Sequence, residues 1–184
     1  MPHRLSTTKL PAHAEAKFPP GYNALLRGRC SMVGSSYFLT NCLKRPHTGL
    51  VQPDLAPSVL DQMRALETRG YWHIRTTVLM PDHIHMVITL GEKLSLPEVV
   101  RSFKGPLTRF LRTHGLQWQD GYYERRLRTS DKLLPILLYI FLNPYRARLA
   151  QPGEKWPWYE CAPNDWEWFG GLTNEALPFP EWLR

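Results

Sequence analysis

The sequence predicts an α+β protein: a ferredoxin-like (split βαβ) antiparallel sheet with helices on one face and an extra helix beyond it. Three observations predict this. Strand-like and helix-like segments run strand, helix, strand, strand, helix, strand, which is the split βαβ order. The two middle strands are joined by a Pro-Asp pair of hairpin-turn chemistry. A strongly apolar helical stretch, "LLPILLYIFLNP", follows outside that pattern.

The elements are read in chain order. Residues 1–34 are rich in Pro, Gly and basic side chains, with little periodicity, and read as an extended basic arm. "SYFLTNCLK" (Ser36–Lys44) alternates and is rich in aromatic and β-branched residues, a first strand. "APSVLDQMRALETRG" is a helix with Ser58 as N-cap, Val59, Leu60, Met63 and Leu66 at helical spacing, and Gly70 as its stop. Tyr71–Met80 is the second strand, and "HIHMVITL" returns as the third. A second helix runs from about Ser95, with Gly105-Pro106 kinking or interrupting it. "YYERRLRT" is the fourth strand. The apolar helix should stop at Asn143, because a proline disfavours helical geometry in the residue before it. Tyr145–Arg184, rich in Trp and Pro, reads as an irregular packed tail, and no internal repeat is visible.

At 184 residues the chain has room for one sizeable core. No stretch approaches the ~18 apolar residues of a membrane helix, so no membrane is expected. The N-terminus lacks the apolar centre of a secretion signal. Three cysteines, Cys30, Cys42 and Cys161, form no CxxC, which fits a reducing cytoplasm. With 23 Lys+Arg against 16 Asp+Glu the net charge is +7, which suits a polyanionic partner. Arg101 to Arg128 holds seven basic residues against two acidic ones, interleaved with Phe103, Phe110, Trp118, Tyr122 and Tyr123. Charge for phosphates with rings for bases is how single strands are held. A cationic helix face with its rings in the core explains the segment equally well.

Residues two apart on a strand share a face. His83 and His85 therefore project together, while Ile84, Met86, Ile88 and Leu90 point the other way. Two neighbouring imidazoles can chelate a divalent metal; two unrelated histidines are the plainer alternative. His73 reads as an ordinary sheet residue. On "YIFLN", Tyr139 and Asn143 are four apart and share a helical face. Asn143 as a helix-end cap and Tyr139 as a core residue with a satisfied hydroxyl remain open alternatives.

His-Ile-His after "MPD", then "SFKG", "WQDGYYERRLR" and "YIFLNPYRARL", in that order, closely resembles the REP-associated tyrosine transposases. These are relatives of the single-strand HUH (His–hydrophobe–His) transposases. The resemblance spans about Leu26 to Leu149 and takes in "LLRGRCSMVGSSYFLT". It implies that residues 35–150 are the catalytic domain, with 1–34 a basic arm and 151–184 a tail packed on the same domain. It implies His83, His85 and Asn143 as ligands of a divalent metal, and Tyr139 as the nucleophile. A two-imidazole site should accept Mn²⁺ as well as Mg²⁺. Implied too are metal-dependent cleavage and transfer of single-stranded DNA through a 5′-phosphotyrosine, at repetitive extragenic palindromic (REP) hairpins with a short flanking guide. Arg27, Arg29, Lys104, Arg109, Arg125, Arg126 and Arg128 are the candidate phosphate contacts, of which about half are expected to matter. A monomer in a bacterial cytoplasm, near the nucleoid, is expected.

Three residues depart from the family pattern: Asp82 where Asn is frequent, Tyr145 where a small aliphatic is usual, and Arg148 where Gly is common. None is expected to touch the catalytic atoms. Tyr145 offers a rival nucleophile that should have left the face of Asn143. The rival functions are a rolling-circle nickase or relaxase, which shares the histidine pair and a tyrosine, and a non-catalytic hairpin DNA- or RNA-binding descendant.

Overall fold

The computed structural model describes residues 31–128, 131, 133–151 and 153–170. The segment 1–30, with Arg27 and Arg29, and the segment 171–184 lie outside the described residues. Strand β1 is Ser36–Cys42, helix α1 Ala56–Thr68, β2 Trp72–Leu79, β3 His83–Leu90, helix α2 Leu96–Thr113 and β4 Tyr123–Arg126. Helix α3 is Leu133–Arg146, β5 Tyr159–Cys161 and helix α4 Pro163–Gly170. The sheet order is β4-β1-β3-β2-β5, all neighbours antiparallel. Its first four strands have the predicted ferredoxin-like layout.

Helices α1 and α2 cover one face. Val59, Leu60, Met63 and Leu66 of α1, and Val99, Val100, Phe103, Leu107 and Leu111 of α2, pack with Ile84, Met86, Ile88 and Leu90 of β3. This face is a continuous apolar core, as the alternation on β3 requires. Helix α3 lies on the opposite face, where Ile140 packs on Val78, Met80 and Val87. That face is therefore partly roofed. Among the described residues no helix is long and apolar enough to cross a membrane.

Four local expectations are corrected. The N-cap of α1 is Leu55, not Ser58, and a proline stands in the first two helical positions. Its missing N–H is harmless there, since the first-turn donors have no intrahelical partner. Helix α2 runs unbroken through Gly105 and Pro106. Pro106 strips Ser102 of its intrahelical donor, and Gln62 of α1 supplies another at 2.9 Å.

Helix α3 does not stop at Asn143 but carries Pro144 inside its last turn. It closes with Arg148 N donating to Tyr145 O (3.0 Å) and Leu149 N to Pro144 O (2.9 Å), a Schellman ending with Arg148 in the left-handed region at φ 58°. A glycine would take that conformation without strain. Lastly, the tail is not all irregular: β5 pairs with the free edge of β2. Trp156, Tyr159 and Trp166 pack on Leu137, Phe141 and Tyr145 of α3. Neither strand nor helix was visible in a segment so dominated by Trp and Pro.

Candidate active site

The turn that leads into β3 is held by backbone donors from two neighbouring segments. Gly49 N and Leu50 N donate to Pro81 O at 2.7 and 2.9 Å, and Leu43 N donates to Asp82 O at 2.8 Å. This backbone grip fixes the register from which His83 and His85 rise. Cys42 of β1 lies opposite His83, and Thr40 opposite His85. The two imidazole centroids are 4.4 Å apart.

Each imidazole is oriented through Nδ1. His83 Nδ1 meets Asp82 Oδ1 at 2.7 Å, and His85 Nδ1 meets Thr40 Oγ1 at 2.8 Å. The hydrogen bond with His83 holds the Asp82 carboxyl below the usual carboxylate range, with burial opposing it. Asp82 thus does touch the site, contrary to expectation. A carboxylate or hydroxyl on one nitrogen is the usual support for an imidazole that ligates through the other. Phe38 stacks on His85 at 5.4 Å and backs the ring on the β1 side.

Helix α3 begins near Ser36, beside a cavity of about 380 Å³ that also takes in Arg75, Arg128 and Asp131. It then passes over the strands, so that Tyr139 arrives above His85, phenol oxygen to Nε2 at 3.3 Å. The tautomer that donates Nδ1–H to Thr40 leaves the Nε2 lone pair for this hydroxyl or for a cation, not for both at once. Asn143, 4 % exposed, lies one turn further along α3 on the stripe that includes Ile140. Among the described residues no three His, Cys, Asp or Glu side chains cluster as a metal site. An amide oxygen is chemically suitable as a further ligand, and Asn143 carries one on α3. The donor set, two anchored imidazoles with a buried amide on the facing helix, fits a divalent cation.

Tyr145 is not a rival at this site. It remains on the helix, its hydroxyl donates to Glu154 O at 2.6 Å, and its ring packs on Phe141.

The basic segment divides between the two faces. Lys104 and Arg109 lie on α2, beyond the apolar core. The Lys104 ammonium donates to Gln119 O and Gly121 O, both at 2.8 Å; burial lowers its pKa, with Asp120 opposing. It braces the approach to β4 and is not free for a phosphate. Arg126 lies opposite Tyr37, on the core side, with its guanidinium against Met32. Arg125, opposite Phe38, is on the histidine side and pairs with Asp131 at 3.0 Å. Of the rings in this segment, Phe103, Phe110, Trp118 and Tyr122 belong to the far-side core, and Tyr123 does not. His73 pairs with Thr89 in the sheet, and its Nδ1 meets Glu67 of α1 at 2.7 Å.

Sequence reasoning missed Thr40, Phe38 and Arg146. The Arg146 guanidinium lies 6.0 Å from the Tyr139 ring centroid. Its spacing of seven from Tyr139, two helical turns, was the available signal. Thr40 and Phe38 reach the site only through strand pairing.

A ferredoxin-like sheet thus offers two oriented histidines to a helix-borne tyrosine. The family model for IS200-like transposases matches residues 32–140, more than half of the chain, and the chain belongs to that family. It is similar to the ISDra2 transposase TnpA of Deinococcus radiodurans, 28 % identical over 83 residues. That match covers 45 % of this chain and only 59 % of the relative's length. Its fold matches a REP-associated tyrosine transposase solved bound to a REP hairpin: TM-score 0.62, 20 % identity, 71 % of this chain and 79 % of that one. A putative transposase from Deinococcus radiodurans R1 is more distant in shape, at TM-score 0.45 and 21 % identity over 67 % of this chain and 91 % of its own.

Proposed function

We propose that this protein cleaves and rejoins single-stranded DNA at REP-type hairpins, with Tyr139 as nucleophile. The observation that carries this reading is the Tyr139 phenol 3.3 Å from Nε2 of His85, beside the partner imidazole of His83. Hydrolysis needs only water; a tyrosine is required where the bond energy has to be kept for rejoining. The Tyr139 oxygen attacks phosphorus, the Oη–P bond forms and the P–O3′ bond breaks. The phenol proton is released to water and the departing 3′ oxygen takes one up, so the step consumes none. The 5′-phosphotyrosine then waits for a second 3′-OH, and the reverse reaction joins it without ATP.

His83, His85 and Asn143 would hold Mg²⁺ or Mn²⁺. When bound, the cation neutralises the non-bridging oxygens and makes phosphorus more electrophilic. Asp82 and Thr40 keep the imidazoles turned to one point, and Phe38 keeps bulk water from the β1 side. Arg125 and Arg146 stand on the same side for phosphates of the strand. A hairpin target is supported by the hairpin carried by the neighbour of similar fold and by the net charge of +7; the short flanking guide is part of the proposal. A purely DNA-binding descendant would have no use for a phenol aimed at an anchored imidazole.

The test is incubation with an end-labelled single-stranded hairpin oligonucleotide and Mg²⁺ or Mn²⁺, followed by denaturing electrophoresis. An SDS-stable adduct should form, disappear with EDTA, and be absent in Tyr139→Phe while hairpin binding persists. An adduct in Tyr139→Phe would disqualify Tyr139.

A further inference from the structure

We propose that Tyr123, on edge strand β4, is a stacking platform for an unpaired nucleobase flanking the phosphate at His83 and His85. The proposal rests on the cleavage reading above and adds a base-binding subsite to it.

The strand register places Tyr123 opposite Thr40, the residue that orients His85, and so on the histidine side of the sheet. Among the described residues β4 is the last strand of the sheet on that side. Tyr123 is 48 % exposed. Among the described residues its ring meets Phe38 edge-on, at 6.0 Å and 70°. Phe38 in turn stacks on His85 and meets Tyr139 at 6.3 Å. One ring therefore separates Tyr123 from both the metal-site imidazole and the nucleophile. A base on Tyr123 would lie beside the reacting phosphate, at the exit towards the sheet edge.

The chemistry matches single-stranded DNA. Arg125, two residues on, points to the same side, giving the pairing of ring and guanidinium by which proteins hold unpaired strands. Every other ring of the segment is packed against the far-side core, so Tyr123 is the ring left to meet a ligand. A base stacked there would be read by shape rather than by hydrogen bonds. Tyr123 would therefore set where the strand is cut relative to the hairpin more than which hairpin is chosen.

The experiment uses the full chain in EDTA, so that no cleavage occurs, and a hairpin oligonucleotide with single-stranded flanks on both sides. 2-Aminopurine replaces each flanking base in turn. With the wild type, one flanking position should show marked quenching on binding. Tyr123→Thr keeps strand propensity while removing the ring; it should abolish that quench and weaken binding of the flanked hairpin about ten-fold or more. Binding of the bare hairpin and the thermal midpoint should not change. Tyr123→Trp should restore both quench and affinity. Unchanged quenching and affinity in Tyr123→Thr, or equal loss on bare and flanked hairpins, would overturn the proposal. The covalent-adduct assay above is separate: an adduct with no Tyr123 dependence sinks this subsite alone. Tyr123-dependent quenching with no adduct under any metal sinks the cleavage reading and leaves the subsite standing.

Discussion

On strand β3, Ile84, Met86 and Ile88 are sealed under α1 and α2, whereas His83 and His85, their immediate neighbours, look out towards α3 and Tyr139. The two faces share every backbone hydrogen bond and differ only in the parity of the residue. The far face is apolar and close-packed, and its contribution is area removed from water. On the near face the site's polar groups meet partners: Asp82 for His83, Thr40 for His85, and His85 for Tyr139. A one-residue slip of β3 would exchange the faces, and the backbone grip on Pro81 and Asp82 guards against it. The comparison shows how a strand can be stabilised through one set of side chains and left free for chemistry through the other.

Five changes break or sharpen the contrast, from largest to smallest. Tyr139→Phe on the near face should abolish the covalent adduct outright, with the thermal midpoint within a few degrees of wild type; calorimetry and the adduct gel read both. Phe103→Ala on the far face should do the reverse, costing ~3–5 kcal/mol by denaturant unfolding, because Phe103 is fully buried between Trp72 and Trp118. Folded Phe103→Ala protein should still form the adduct. Thr40→Val keeps the shape and removes the hydroxyl that holds His85. It should weaken Mn²⁺ binding about 10- to 100-fold by calorimetric titration, and an unchanged affinity would remove Thr40 from the site.

Two smaller effects lie outside both faces. Arg148→Gly relieves the left-handed backbone at the end of α3 and should raise stability by up to about 1 kcal/mol in urea. The weakest is electrostatic. His114 is held above its ordinary pKa, first by the carbonyl of Phe110 and then by Asp54, while Asp54 is lowered chiefly by His114. The His114 contribution is full below about pH 6.5, its unfolded value, and fades as pH rises through the higher folded value. The Asp54 contribution is present above about pH 3.8 and is lost as pH falls through the lower folded value. Asp54→Asn should move the His114 NMR titration midpoint down without restoring it fully, since the Phe110 carbonyl remains at 3.0 Å.

The order of elements, the parity of β3 and the shared face of Tyr139 and Asn143 were legible because each depends on spacing along one segment. The helix start at about Ser95 and the stop at Gly70, at φ 72°, are local in the same sense. The continuity of α2 through Pro106 was not legible, since its spare carbonyl is satisfied by Gln62 from another helix. Nor was the fate of Lys104, whose acceptors come from the following loop, or the split of the basic segment between faces. Composition sums charges without regard to the side of a sheet on which they fall. The fifth strand was hidden because three residues of pairing leave almost no alternation to read.

The sequence by itself determined which side chains leave each element together, since that follows from periods of two and 3.6 residues. Only the tertiary structure decided that the face of α3 bearing Tyr139 comes down on the face of β3 bearing His85, with Thr40 and Phe38 beside it. Those contacts join residues far apart in the chain, and their proximity comes from closing the sheet and burying a helix against it, which no local pattern encodes.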